Sequence, residues 1–274
     1  MLEQKQSLST NALKVIAVVC MAIDHIPYAF PNASEAYYTF PIFLFHAIGR
    51  ITAPIFFYLV GVGYGRTRNA NRYALRLLVF AALSYVPYIA YFHTPTGATR
   101  LPELVNAQNF LDLNVIFTML IGLLLLRALN EIRILPLKIA ACAGCLFAGM
   151  FCDYGLFGIA MILCFAYTQG NRNVLAAAFS AIILASLYFN VLRDFAANFP
   201  LYATGYAEMP TAFTPMNAYF IVLACQFLPL PLIVRHAGPR TEPEKRPGFL
   251  GKWLFYIFYP AHIILLLWLK LWVI

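Results

Sequence analysis

Charged residues are scarce in this sequence. Asp, Glu, Lys and Arg supply 11% of its 274 residues, against about 25% in an average soluble domain. The hydrophobic share is 62% and the mean hydropathy is +0.74. Several apolar runs approach the length of a bilayer crossing, which excludes an ordinary soluble domain, and their continuity argues against a β-barrel. We therefore predict an all-α, polytopic membrane protein, a single domain over residues 1–274 with about nine transmembrane helices.

Motifs of several enzyme classes are missing as well. The sequence has no His, Cys, Asp and Glu set with zinc spacing, no G-x-S-x-G and no Walker loop, so no metal site is predicted. Cys142 and Cys145 form a C-x-x-C without a second pair, in a stretch rich in small residues, which we interpret as helix packing. The first apolar run is interrupted by Asp24 and His25 and has no A-x-A site after it. It is expected to remain as a span, not to be cleaved as a signal peptide.

The positive charge is distributed unevenly along the chain. The net charge is +8, and in the predicted topology 15 of the 19 Lys and Arg lie on one side of the membrane, three lie opposite, and Arg50 lies within it. This is the positive-inside bias, which predicts a cytoplasmic N-terminus and does not call for a nucleic-acid partner. The nine predicted spans cover approximately residues 12–30, 41–63, 73–92, 111–126, 137–151, 156–167, 174–192, 216–234 and 253–272. The long outer segment 193–215, rich in aromatic residues and Pro, is a candidate cover for a site.

Four ionisable residues are predicted at similar depth near the middle of the membrane: Asp24, His25, Arg50 and His262. Each such residue costs about 2.5–3.5 kcal/mol to insert, so ionisable groups at this depth usually mark a functional site. Adjacent residues of a helix point about 100° apart, so we expect Asp24 to pair with another helix, through Arg50 or His262, instead of orienting His25. The alternative is that these residues only pack the helices. His46, His93 and His236 lie near predicted span ends and are interpreted as ordinary interfacial residues.

Basic residues are predicted on one membrane side of these four ionisable residues. Lys14 precedes His25 by eleven positions, about three helical turns, which places the two on one face roughly 16 Å apart. The loop after the second span holds Arg66, Arg68, Arg72 and Arg76. This cluster is a topology signal and also a candidate phosphate-binding surface.

Short segments in a fixed order resemble the TraX family of membrane proteins. They are Leu13-Lys14-Val15-Ile16-Ala17, Met21-Ala22-Ile23-Asp24-His25, Ile48-Gly49-Arg50-Ile51-Thr52-Ala53-Pro54, Arg66-Thr67-Arg68-Asn69, Asn114-Val115-Ile116-Phe117-Thr118, Asp153-Tyr154-Gly155 and Phe258-Tyr259-Pro260-Ala261-His262. Together they cover residues 13–262, nearly the whole chain. The family is similar to a wider group of transmembrane acyltransferases, whose first helix carries a basic residue and a histidine eleven positions apart. Lys14 and His25 match those positions here.

The resemblance implies an enzyme of the bacterial inner membrane that moves an acyl group, most simply acetyl, from coenzyme A to an amine or hydroxyl. The expected partners are acyl-CoA, membrane lipid and an acceptor that is a protein terminus (a pilin N-terminus in the family analogy), a glycan or a small amine. In the hypothetical mechanism His25 is the base or a transient acyl carrier. Arg50 stabilises an oxyanion or holds Asp24 charged, and His262 is a second acid–base or positioning group. The phosphates of acetyl-CoA would meet the basic residues Lys14, Arg66, Arg68, Arg72 and Arg76.

Two other classes of function remain open from the sequence. Buried Asp, His and Arg also form proton relays, so a proton-coupled transporter is one alternative, although no internal repeat supports it. A scaffold for pilus assembly or secretion, in which the polar groups only pack helices, is the other.

Overall fold

The computed structural model of the chain describes residues 8–30, 40–93, 110–203, 221–237 and 249–272. Its helices are, in order, α1 Thr10–His25, α2 Phe40–Gly49, α3 Thr52–Arg66, α4 Ala70–His93, α5 Val115–Glu131, α6 Leu135–Gly149, α7 Gly155–Tyr167, α8 Arg172–Ala203, α9 Leu230–His236 and α10 Phe249–Trp272. Short 3₁₀ segments cover Ile26–Ala29 and Cys225–Phe227. Within these ranges there is no β-strand, so the all-α prediction is confirmed.

Helical segments lie at all nine predicted spans. Five are long and apolar enough to cross a membrane: Thr10–Ala29, Ile42–Arg66, Ala70–His93, Arg172–Arg193 and Trp253–Trp272. Shorter apolar helices cover Leu135–Gly149, Gly155–Tyr167 and Ile221–His236. The predicted start of the eighth span, residues 216–220, lies outside the described residues.

Helix α3 is the centre of the bundle. Nine of its fifteen residues are buried, and it packs against α1, α5 and α7. A helix that is apolar on every side is expected in the interior of a bundle. At Gly61 a Cβ would lie 2.8 Å from the carbonyl oxygen of Ile162, so the absence of a side chain lets α3 and α7 approach closely.

Proline residues explain two interruptions of the helices, one after α1 and one before α3. Pro27 follows the end of α1, and the chain continues as a 3₁₀ turn over Ile26–Ala29. Pro54 has no N–H for the carbonyl of Arg50, and its ring crowds that carbonyl. The helix of the second span is therefore broken at Arg50 and Ile51, which separates α2 from α3.

The start of α1 and the end of α8 each have a local cause in the sequence. Ser9 caps α1, because its hydroxyl accepts the N–H of Ala12 at 3.1 Å. The boundary at residue 192 was wrong, since α8 continues to Ala203. No Gly or Pro occurs between Arg172 and Pro200, so no helix breaker ends the helix at the predicted point. The rest of the candidate covering segment, residues 204–215, lies outside the described residues.

Candidate functional site

Two histidines from opposite ends of the sequence meet side by side. Nδ1 of His25, the last residue of α1, lies 2.8 Å from Nε2 of His262 on α10. Nδ1 of His262 lies 2.8 Å from the carbonyl oxygen of Phe258, one turn earlier. The two imidazole rings are nearly parallel, with centroids 5.0 Å apart. Phe258 stacks on His262 with its centroid 4.7 Å away.

The carbonyl of Phe258 determines where the protons lie in a neutral pair. A carbonyl oxygen only accepts hydrogen bonds, so Nδ1 of His262 carries a proton and its Nε2 is an acceptor. Nδ1 of His25 must then donate to that acceptor, which leaves Nε2 of His25 with a free lone pair. His25 is thus held in the tautomer that can take a proton or attack a carbonyl carbon at Nε2.

Asp24 turns away from His25 and is held by α2. Its Oδ1 accepts a hydrogen bond from Nδ1 of His46 at 2.8 Å. A terminal nitrogen of Arg50 lies 3.4 and 3.5 Å from its two oxygens, whereas Nε2 of His25 is 3.9 Å away, beyond hydrogen-bond range. Asp24 is only 8% exposed, and a carboxylate at that depth needs such partners. The expected pairing with Arg50 is present, and the expected alternative, His262, instead bonds His25.

Gly49 makes this approach possible. A Cβ on Gly49 would overlap the carboxyl group of Asp24. The backbone of α2 therefore lies directly against the Asp24 side chain, between the residues that bind it. Thr52, just after the break, ties α3 to α1 by donating to the carbonyl of Ala17 at 3.0 Å.

A cavity of about 360 Å³ connects these groups. Asp24, His25 and Arg50 line it, together with aromatic and other residues from the 3₁₀ turn after α1, from α4, from α10 and from the connector before α7: Tyr28, Tyr88, Phe92, His93, Asp153, Tyr154 and Tyr259. Such a volume is in the range of small-molecule sites, which combine apolar walls with a few converging polar groups. His262 is behind His25 and does not line the cavity wall.

Two of the polar residues at this site were missed or misread from the sequence. His46 was interpreted as interfacial, but it is 1% exposed and binds Asp24. Its position one helical turn before Arg50 was the available signal, because residues four apart share a face. Asp153 belongs to the Asp153-Tyr154-Gly155 segment of the family resemblance, but it was not predicted as a site residue.

The other two histidines read as interfacial differ from each other. His236 is buried, with Nδ1 2.7 Å from the hydroxyl of Tyr58 and Nε2 3.0 Å from that of Thr10, so that interpretation was wrong. It links α9 to the first turn of α1 and to α3. His93 is exposed at the end of α4, 3.6 Å from Asp112, and it also lines the cavity at His25.

The five predicted phosphate-binding residues do not converge on one cavity among the described residues. A polar cavity of about 490 Å³ lies at the ends of α3 and α5, far along α3 from the histidines, and its wall contains Tyr64, Thr67, Arg68, Asn69, Ala70, Asn71, Arg127 and Glu131. Arg66 and Arg72 are exposed beside it. Arg76 lies over the ring of Tyr73, 5.7 Å from its centroid, and Lys14 is half-buried in the first half of α1.

Arg127, which was not among the predicted phosphate-binding residues, belongs to that second cavity. It makes hydrogen bonds of 2.9–3.1 Å to the carboxylate of Glu131, and these bonds hold the pKa of Glu131 below its usual value. Within the described ranges, no three His, Cys, Asp or Glu are grouped so as to hold a metal ion.

Comparison with known proteins identifies a family and a relative of similar length. The family model described as TraX protein matches residues 9–270. The chain is 28% identical over 259 residues to a protein of Dichelobacter nodosus described as "Probable fimbrial assembly protein FimC, serogroup H1", and the match covers 94% of each chain. No solved structure matches significantly.

Proposed function

The chain belongs to the TraX family, and from this premise we propose that it is a membrane acetyltransferase that moves an acetyl group from acetyl-CoA to an amine or hydroxyl acceptor. The observation that carries the proposal is the fixed tautomer of His25. A neutral imidazole with its lone pair toward a cavity, backed by a second histidine, is what a general base or a nucleophile requires. An ion-paired residue that only packs helices has no need of it.

The chemistry follows from the groups around the cavity. The acceptor nitrogen or oxygen attacks the thioester carbonyl carbon while its proton moves to Nε2 of His25. The carbonyl oxygen becomes an oxyanion, which the Arg50 guanidinium stabilises. The C–S bond then breaks, and the imidazolium returns its proton to the CoA thiolate. In the alternative order, Nε2 of His25 attacks the thioester carbonyl carbon and CoA leaves as the thiolate. The acceptor then attacks the acetyl group on His25, the bond to Nε2 breaks, and the acceptor's proton goes to the thiolate.

His262, His46 and Asp24 have supporting roles in this proposal. His262 keeps the proton of His25 on Nδ1 and stabilises the positive charge that forms during transfer. His46 and Asp24 position Arg50 at the cavity wall. None of the three needs to touch the reacting atoms.

The donor is proposed to enter from the basic side, which we assign to the cytoplasm of a bacterial inner membrane. Arg68 and Arg127 line the polar cavity there, and guanidinium groups bind phosphate oxygens in pairs. Lys14, Arg66, Arg72 and Arg76 lie on the same side and would add positive potential near the phosphates. The name of the Dichelobacter relative makes a fimbrial subunit, through its N-terminus, the first acceptor to test.

Purified protein in lipid nanodiscs, incubated with acetyl-CoA and a peptide that has a free N-terminus, tests the proposal. We expect release of free CoA thiol together with acetylated peptide, seen by mass spectrometry. Proton-driven uptake into vesicles without release of CoA would favour a transporter instead. The absence of both would favour a scaffold.

A further inference from the structure

The cavity around His25 carries an excess of negative charge. Its wall holds two carboxylates, Asp24 and Asp153, and one guanidinium, Arg50. Arg50 is bonded to Asp24. The Asp24–Arg50 pair is neutral overall, and His25 is neutral in its fixed tautomer. Asp153 is therefore the remaining carboxylate of the wall. A cationic ligand would pair with this carboxylate.

Asp153 is built into a turn that holds its backbone on both sides. Its N–H donates to the carbonyl of Leu113 at 2.8 Å, and its carbonyl accepts a hydrogen bond from the hydroxyl of Thr118. The next residue, Tyr154, has φ +62°, a left-handed conformation that costs free energy for a residue with a Cβ. The turn presents Asp153 at the cavity wall.

The rest of the wall suits an ammonium group. The rings of Tyr28, Tyr88, Phe92 and Tyr259 line the same cavity. Aromatic faces attract cations, and the attraction is larger where water is excluded. A carboxylate together with several aromatic rings is a common way to bind an alkylammonium ion, whereas a neutral hydroxyl gains little from either.

We infer that Asp153 binds the acceptor as a protonated amine and places its nitrogen opposite Nε2 of His25. This rests on the proposed acyl transfer and adds the group that selects an amine over a hydroxyl. In the bound state the ammonium loses one proton to become the nucleophile, and Asp153 or water takes it. Nε2 of His25 accepts the second proton as the C–N bond forms.

A purely local role for Asp153 is the competing explanation. Its Oδ1 accepts the N–H of Tyr154 at 2.9 Å, just before α7. The side-chain oxygen of asparagine can accept the same hydrogen bond. Asp153→Asn therefore keeps the local hydrogen bond and removes only the charge.

The test uses two peptides that differ only at the N-terminus, one with an α-amine and one with an α-hydroxyl. Binding of each to the full-length protein in nanodiscs is measured by calorimetry, and transfer from acetyl-CoA is measured in the same samples. Wild type should bind the amine peptide about 10- to 100-fold more tightly than the hydroxyl peptide, and Asp153→Asn should lose this preference. Asp112→Asn, on the same side of the bundle but outside the cavity wall, should keep it.

Each result decides the question. Equal affinity of wild type and Asp153→Asn for the amine peptide overturns the inference. If the Asn variant does not fold, Asp153→Glu, which keeps the charge, and the wild-type comparison remain, and equal binding of the two peptides by wild type also overturns it. A retained amine preference without any acetyl transfer would contradict the acyltransferase proposal while supporting Asp153 as the ammonium site.

Discussion

Nδ1 of His25 and Nε2 of His262 lie 2.8 Å apart although 237 positions separate them in the chain. The contact joins the first helix of the bundle to the last. Because His262 is itself anchored to the carbonyl of Phe258, the contact fixes one tautomer of His25. The reactive nitrogen is thereby defined by a residue that does not line the cavity.

Replacing His262 should therefore impair turnover without changing donor binding. His262→Ala removes the acceptor for Nδ1 of His25, so the proton is free to move to Nε2. We expect kcat for acetyl transfer to fall about 100-fold, with the KM for acetyl-CoA unchanged. His262→Gln, whose side-chain oxygen can accept from Nδ1, should recover part of the loss. An unchanged kcat in His262→Ala would refute the positioning role.

Gly49 should not tolerate a methyl group. Gly49→Ala places a Cβ within the volume of the Asp24 carboxyl and must displace α2 or break the contacts of Asp24. We expect a clear loss of thermal stability and of folded yield. Gly144→Ala is the matched control, because a Cβ there meets nothing within 4 Å, and it should be neutral or slightly stabilising. Equal melting temperatures for the two variants would show that the Asp24 contact is not tight.

His46 should contribute to stability through Asp24. His46→Phe keeps an aromatic ring but removes the hydrogen bond to the buried carboxylate. Leaving a buried charge short of a partner costs about 1–3 kcal/mol. The thermal unfolding of this variant in detergent is compared with that of His93→Phe, which alters an exposed histidine. A smaller shift for His46→Phe than for His93→Phe would contradict the assignment.

The site was predictable where it depends on helix geometry alone. A constant rise per residue places Asp24, His25, Arg50 and His262 at one depth, whatever the order of the helices in the bundle. Which of these residues bond one another depends on helix rotation and on neighbours distant in sequence. The sequence therefore left the partner of Asp24 open and missed His46.

Asp153 could not be found in this way. Its position at the cavity follows from contacts of its turn with Leu113 and Thr118, residues that no local pattern links to it. The second span was predicted as continuous over residues 41–63, whereas Pro54 breaks it before α3. The proximity of Gly49 to Asp24 depends on the packing of α1 against α2. Tertiary contacts, not propensities, decided these features.

The proposed binding site for the phosphates of acetyl-CoA has its own test. Arg68→Ala removes a guanidinium from the polar cavity between α3 and α5 and should raise the KM for acetyl-CoA about tenfold, with kcat nearly unchanged. Arg133→Ala removes an equal charge outside that cavity and should have little effect. If both variants raise KM equally, only general electrostatic attraction is at work and the phosphate site lies elsewhere.

Binding of an amine acceptor should depend on pH through Asp153. Loss of water around its carboxyl raises the pKa of Asp153 to about 6, and Arg50 opposes the shift. Below that pH the carboxyl is neutral and amine affinity falls, and above about pH 8 a peptide amine loses its proton. Affinity should therefore be highest between these values, and Asp153→Asn should abolish the acidic limb. The other titratable or charged groups at the wall, which the Asn variant retains, are Asp24, His25, Tyr28, Arg50, Tyr88, His93, Tyr154 and Tyr259.

The central claim is that Nε2 of His25 performs the proton transfer of an acyl transfer reaction. The most direct measurement is the single-turnover rate of labelled acetyl transfer to the amine peptide by wild type and by His25→Gln, with acetyl-CoA binding measured in parallel. We predict that the rate falls about 100- to 10,000-fold while acetyl-CoA still binds. A His25→Gln variant that transfers acetyl at the wild-type rate would contradict the account.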